Sequence, residues 1–250
     1  MSQPIPWVLL RGLMRDSRHW GAFPQALQTA LPGTPIHCLD LPGNGLRYRE
    51  RSPGSVPAMA GWVRRTLQQQ GVAPPYRVFA MSLGAMVTVA WAAAHPQELD
   101  TAVLANTSLR PVSPFYQRLK PAAWPLLLRL AASNPSAEDA ERAILQLTSR
   151  HHADDAALLR QWTAWRLSHP VSRGNALRQL AAAAGFRAPA APPLQRLLLL
   201  NGGGDQLVDP RCSAALARQW QCELAVHPSA GHDLPLDDSA WVVGQLQRWR

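Results

Sequence analysis

The sequence predicts an α/β protein, built as a doubly wound, mostly parallel sheet with an inserted helical cap. Three observations predict it. Short apolar runs alternate with helix-period segments through the first 110 residues, strand signals vanish from about 110 to 186, and strands return after 187. The expected organisation is therefore a core of residues 1–110 and 187–250, with 111–186 as the cap.

Six runs read as strands: Trp7 to Gly12, Ile36 to Leu41, Tyr76 to Ala80, Thr101 to Asn106, Arg196 to Leu200 and Glu223 to His227. Each is short and nearly continuously apolar, as a sheet buried on both faces requires. Val56 to Gln70 places Met59, Val63 and Leu67 on one helical face, and Gly71 ends it. In the cap the expected helices are Pro114 to Ala132, Ala137 to Thr148, Ala153 to Ser168 and Asn175 to Ala184. Ser136 supplies a helix-starting hydroxyl ahead of Glu138 and Asp139. His169-Pro170 stops the third helix, and Ala188 to Pro193 reads as the return linker.

At 250 residues and 47% hydrophobic composition, the chain can bury one substantial core. Its formal charge of +9 comes from scattered arginines, with Lys120 the only lysine. The densest group, Arg47, Arg49 and Arg51 around Glu50, reads as a solvated loop, so no nucleic-acid partner is expected. No apolar segment approaches the roughly 18 residues needed to span a bilayer, and no secretory signal is visible, so a cytoplasmic protein without stable membrane insertion is expected. Cys38, Cys212 and Cys222 have neither metal-ligand spacing nor the density of a disulfide framework, and read as small buried apolar groups. There is no Gly-x-Gly-x-x-Gly after the first strand, no phosphate-cradling Gly-Lys-Ser/Thr and no His-x-x-x-His pair. No cofactor and no metal are expected.

The chemistry concentrates around Ala80-Met81-Ser82-Leu83-Gly84. It follows a strand and opens a helical run, and the small residues two before and two after Ser82 allow a sharp turn that projects the hydroxyl. Asn201-Gly202-Gly203-Gly204-Asp205 puts a carboxylate past a later strand, and Ala230-Gly231-His232-Asp233 puts an imidazole past the last one. The order Ser82, Asp205, His232, with the Asp40-Leu41-Pro42-Gly43-Asn44-Gly45 turn after the second strand, resembles the α/β-hydrolase family over essentially the whole chain. Arg11-Gly12 stands where many members carry His-Gly.

That resemblance implies a serine hydrolase that cleaves a carboxylic ester or related acyl compound through an acyl-enzyme. Ser82 is the expected nucleophile, His232 the base and Asp205 its orienting carboxylate. The expected oxyanion donors are the backbone N–H groups of Leu83 and Leu13, with Met14 the alternative to Leu13. Asp209 is the competing acid, and Asn106, at the end of the preceding strand, offers no charge. Met14, His19, Trp124 and Trp162 are the candidate substrate contacts, around an expected small, apolar acyl or ester substrate held between cap and core. Asp233 reads as a local turn residue and Arg15 as a surface one. The same fold and triad also serve carbon–carbon bond hydrolases and lyases, and a non-catalytic ligand-binding protein is a third reading.

Overall fold

The computed structural model describes residues 4–133 and 135–249. Six strands, β1 (Trp7–Leu10), β2 (Ile36–Leu39), β3 (Tyr76–Met81), β4 (Leu99–Ala105), β5 (Leu197–Gly202) and β6 (Glu223–His227), form one sheet in the order β2-β1-β3-β4-β5-β6, with every neighbouring pair parallel. These are the six strands expected from sequence, with ends that differ by one or two residues. Parallel pairing forces each connection to cross over, and the helices lie on both faces. The chain winds first from β1 to β2, then back past β1 to β3. The direction of winding therefore reverses between β1 and β3, which is where a doubly wound sheet leaves a crevice at its carboxyl edge.

Alternation along each strand divides the core in two. Val8, Leu10, Val78, Ala80, Leu104 and Leu199 face one side, packing with α2 (Val56–Gln69), α3 (Leu83–Ala94) and α9 (Arg211–Trp220). Trp7, Leu9, Phe79, Val103 and Leu198 face the other, with α1 (Phe23–Ala30) and α11 (Ser239–Arg248). The central helix α3 is buried from Leu83 to Ala92, because it is apolar all round rather than on one stripe.

Among the described residues between β4 and β5 the α-helices are α4 (Phe115–Arg118), α5 (Trp124–Ala132), α6 (Ala137–Thr148), α7 (Ala156–Ser168) and α8 (Arg173–Gly185), with one isolated parallel bridge between Arg110 and Arg187. The single helix expected over 114–132 is broken. Pro121 lacks an N–H and restricts the residue before it, and Lys120 accordingly leaves the helical region at ψ 135°. The helix expected from Ala153 starts later, because the Asp155 side chain accepts the N–H groups of Ala157 and Leu158. Ser172 caps α8 through Asn175 N–H, so the helix begins at Arg173, two residues before the expected start. A four-residue α10 (Leu234–Asp237) precedes α11. Among the described residues, no helix is long and apolar enough to cross a membrane. Cys212 is buried and Cys38 half-buried, and burial pushes both thiols up to about 11.

Candidate active site

The turn after β3 carries Ser82 at φ 50°, a left-handed backbone that a serine adopts only when its surroundings enforce it. The enforcement is local. Ser82 N–H donates to the Ala105 carbonyl of β4 at 3.0 Å, and α3 begins at the next residue. A methyl group on Gly84 would lie 2.5 Å from the Leu10 carbonyl, so only glycine lets the first turn of α3 approach β1 this closely. The hydroxyl thus sits at the positive end of a helix buried from Leu83 to Ala92.

Asp205 and His232 come from the loops after β5 and β6. His232 Nδ1 and Asp205 Oδ2 are 2.7 Å apart. The other carboxylate oxygen, Oδ1, accepts from Leu207 N–H at 2.8 Å and Val208 N–H at 2.9 Å, so the acid is fixed before it orients the imidazole. Asp209, the competing acid, instead faces Arg211 near the surface. Burial works against a charged His232, but the Asp205 carboxylate, its hydrogen bond and the nearby Asp233 outweigh it and hold the ring above the ordinary histidine range. Among the described residues, neither the Ser82 hydroxyl nor His232 Nε2 makes a hydrogen bond. The contact between carboxylate and imidazole is closed, and the imidazole and the hydroxyl are not hydrogen-bonded to each other.

Asn106 links these pieces. It follows β4 at φ 47°, is fully buried, and donates from Nδ2 to the carbonyls of His232 at 2.7 Å and Gly231 at 3.1 Å. Its Oδ1 accepts from Gly202 N–H at 2.8 Å. One uncharged amide therefore joins the ends of β4 and β5 to the histidine loop, next to Ala105, which receives Ser82 N–H.

On the other side of the crevice, the turn after β1 presents Leu13 and Met14. Met14, at φ 56°, donates its N–H to Gln179 Oε1 of α8 at 2.9 Å. Among the described residues the N–H groups of Leu13 and Leu83 are not taken up by any hydrogen bond. Gln179, wholly buried, also donates to Asn44 Oδ1 and Ser52 Oγ, so α8 is bonded to both loops at the edge of the sheet.

The sequence profile of the α/β-hydrolase fold matches residues 6–239. The chain belongs to the α/β-hydrolase fold family. No curated protein matches it. Among solved structures, this hydrolase is similar to a thermophilic esterase from Thermogutta terrifontis with malate bound (20% identity over 100% of this chain and 90% of that one, TM-score 0.76). It is also similar to the enol-lactonase from Burkholderia xenovorans LB400 (18%, 98% and 91%, TM-score 0.79). A third is the 2-hydroxy-6-oxo-6-phenylhexa-2,4-dienoate hydrolase from Rhodococcus sp. strain RHA1 (18%, 99% and 90%, TM-score 0.77). At these identities the likeness is one of fold.

Several charged residues of this hydrolase sit differently from the sequence expectation. Asp233 is not a turn residue alone: it is buried and held by Arg11, as is described below. Arg15 is not on the surface. Its Nη1 lies 2.7 Å from Glu141 Oε2 of α6, its guanidinium stacks over Trp162 at 4.4 Å, and Arg166 of α7 pairs with the same glutamate at 2.7 Å. Burial disfavours the Glu141 charge, but these two arginines prevail and hold its carboxyl below the usual glutamate range. His19 is buried between Trp162 and Trp165, with ring centroids at 5.3 and 5.2 Å, and its Nδ1 faces Asp16 at 3.2 Å. Burial and the Arg15 charge push the imidazole down to about 4.

His19 and Trp162, expected to touch substrate, therefore serve here to seal the helical insertion onto the turn after β1. Trp124 belongs to another group, stacked on Phe115 at 5.9 Å with its indole N–H on the Leu119 carbonyl. The insertion is also bonded to the histidine loop. Asp237 accepts from Gly231 N–H, Arg150 N–H and the Ser149 hydroxyl, and Asp233 N–H donates to the Thr148 carbonyl at 2.8 Å.

Sequence reasoning missed Glu141, Asp237 and Gln179, and noted Asn106 only as an uncharged residue at a strand end. Each carried a faint signal: a polar side chain at a strand end, or on a helix face otherwise filled by alanine and leucine.

Proposed function

We propose that this protein is a serine hydrolase that cleaves a carboxylic ester, or a related acyl compound, through an acyl-enzyme on Ser82. The observation that carries the reading is the strained serine at the head of a buried helix, on the same edge of the parallel sheet as an imidazole already oriented by a buried carboxylate. His232 Nε2 takes the Ser82 proton as Oγ attacks the carbonyl, and returns it to the leaving oxygen. Asp205 keeps the proton on Nδ1, so that Nε2 is the free acceptor, and stabilises the imidazolium that forms. The charge that develops on the carbonyl oxygen goes to the N–H groups of Leu13 and Leu83; Met14 N–H is committed to Gln179, which favours Leu13 over it. Loss of one such donor costs about 3 kcal/mol of transition-state stabilisation. Water then attacks the acyl-enzyme with His232 again as base. In this reading residues 111–186 are the cap over a core of 1–110 and 187–250. The acyl part is apolar, in keeping with the alkyl side chains of Leu13 and Met14 on the turn after β1.

Carbon–carbon bond hydrolysis or lyase chemistry with the same three residues takes second place for a specific reason. It calls for an extra cationic or polar group facing the substrate, and Arg11 and Arg15 are already engaged by Asp233 and Glu141, while Lys120 Nζ donates to the Asp205 carbonyl at 3.0 Å. A fluorophosphonate probe tests the proposal. The wild-type protein labels on Ser82 and turns over short p-nitrophenyl esters, whereas S82A does neither; ester turnover by S82A at the wild-type rate removes Ser82 as the nucleophile. Assays across ester, thioester, amide and diketone substrates then select the bond class.

A further inference from the structure

Arg11, the first residue beyond β1, reaches both partners of the proposed proton transfer through their neighbours in sequence. Its Nη1 lies 3.3 Å from the sulfur of Met81, the residue before Ser82. Its two terminal nitrogens grip Asp233, the residue after His232, as a fork: Nη1 to Oδ1 at 2.9 Å and Nη2 to Oδ2 at 2.5 Å. The guanidinium also stacks over Trp20 at 4.6 Å, which fixes its plane. Both side chains of the pair are only 4% exposed.

A buried ion pair is weak evidence for stability, since a well-packed apolar pair of the same volume often does as well. What the charges do here is electrical. The groups facing His232 are Asp205 from the loop after β5, Asp233 beside it, and Arg11 from the end of β1; Arg15, from the turn after β1, also bears on Asp233. Two bare carboxylates around one imidazole would favour the imidazolium, which has no lone pair with which to accept the serine proton. A guanidinium locked onto one of them cancels that charge where it stands.

We propose that Arg11 is the positioning residue of the Ser82–His232 pair, joining the residue before the nucleophile to the residue after the base and neutralising the second carboxylate at the imidazole. The proposal rests on the serine-hydrolase reading for its catalytic meaning, but the coupling of Arg11 to His232 has a readout of its own. A lysine would keep the charge and lose the fork, while a glutamine would lose both.

The experiment is titration of the His232 ring by NMR, alongside the pH dependence of fluorophosphonate labelling at Ser82, in wild type, R11Q, R11K, D233N and the R11Q/D233N double variant. R11Q is expected to move the His232 midpoint up by about half a pH unit or more, and D233N to move it down. The double variant returns towards wild type, R11K shifts less than R11Q, and the acid limb of labelling follows each midpoint. Should R11Q not fold, the D233N and R11K shifts carry the same test. Unmoved His232 midpoints in the folded variants overturn the proposal while leaving Ser82 labelling intact. Shifted midpoints with no labelling of Ser82 in wild type instead overturn the hydrolase reading and leave the coupling standing.

Discussion

Asn106 Nδ2 lies 2.7 Å from the carbonyl oxygen of His232, so the main chain of the proposed base is held by the residue that follows β4. A second donation to Gly231 and an acceptance from Gly202 N–H complete the use of that amide. An aspartate at this position would set a carboxylate against two carbonyls and keep only the bond to Gly202. N106D is therefore expected to lose about 1–3 kcal/mol of stability, with N106A comparable, since it leaves a buried N–H unpaired. Urea denaturation measures the loss; a midpoint equal to wild type in both variants contradicts it.

His19 makes stability depend on pH. Its folded imidazole is pushed down to about 4, whereas the unfolded ring titrates near 6.5. A depressed folded value means that the unfolded chain binds the proton first, so this contribution is fully present above pH 6.5 and is lost as pH falls towards 4. The slope is about 1.4 kcal/mol per pH unit for a single group within that window. H19Q removes the titration, and melting temperatures recorded from pH 7.5 to 4.5 should fall less steeply for the variant than for wild type. Equal slopes would show that His19 is not the group responsible.

Glu141 is bonded to the turn after β1 through Arg15 and to α7 through Arg166, and it is almost wholly buried. Its replacement by glutamine leaves the buried Arg15 without a counter-charge, and E141Q is expected to cost about 3–5 kcal/mol. R166Q should cost much less, because the Arg166 side chain is 33% exposed and water can take its place. Thermal denaturation of the two variants measures the difference, and limited proteolysis within 137–168 should be faster for E141Q. Equal stability of E141Q and R166Q would refute the ranking.

The sheet was legible because each strand is a short apolar run between turn residues, a pattern that depends only on local sequence. The turn at Ser82 was legible for the same reason: Ala80 and Gly84 are small where the close approach to Leu10 demands it. Helix breaks were less so, since a single helix through Pro121 looked acceptable on composition alone. The roles of Arg11, Arg15, Asn106, Glu141 and Asp233 could not be read, because each is set by a partner far away in the chain. Arg11 and Asp233 are 222 positions apart, and Arg15 and Glu141 are 126. An arginine next to a buried strand signals that an acid must be near, but not which one.

Asp237 accepts at once from Gly231 in the histidine loop and from Arg150 just beyond α6. That shared anchor makes the far end of α6 and the backbone at 231–233 a single mechanical unit. Any tilt of α6 large enough to part those bonds would unseat the His232 backbone as well, and any tilt too small to part them would carry it along.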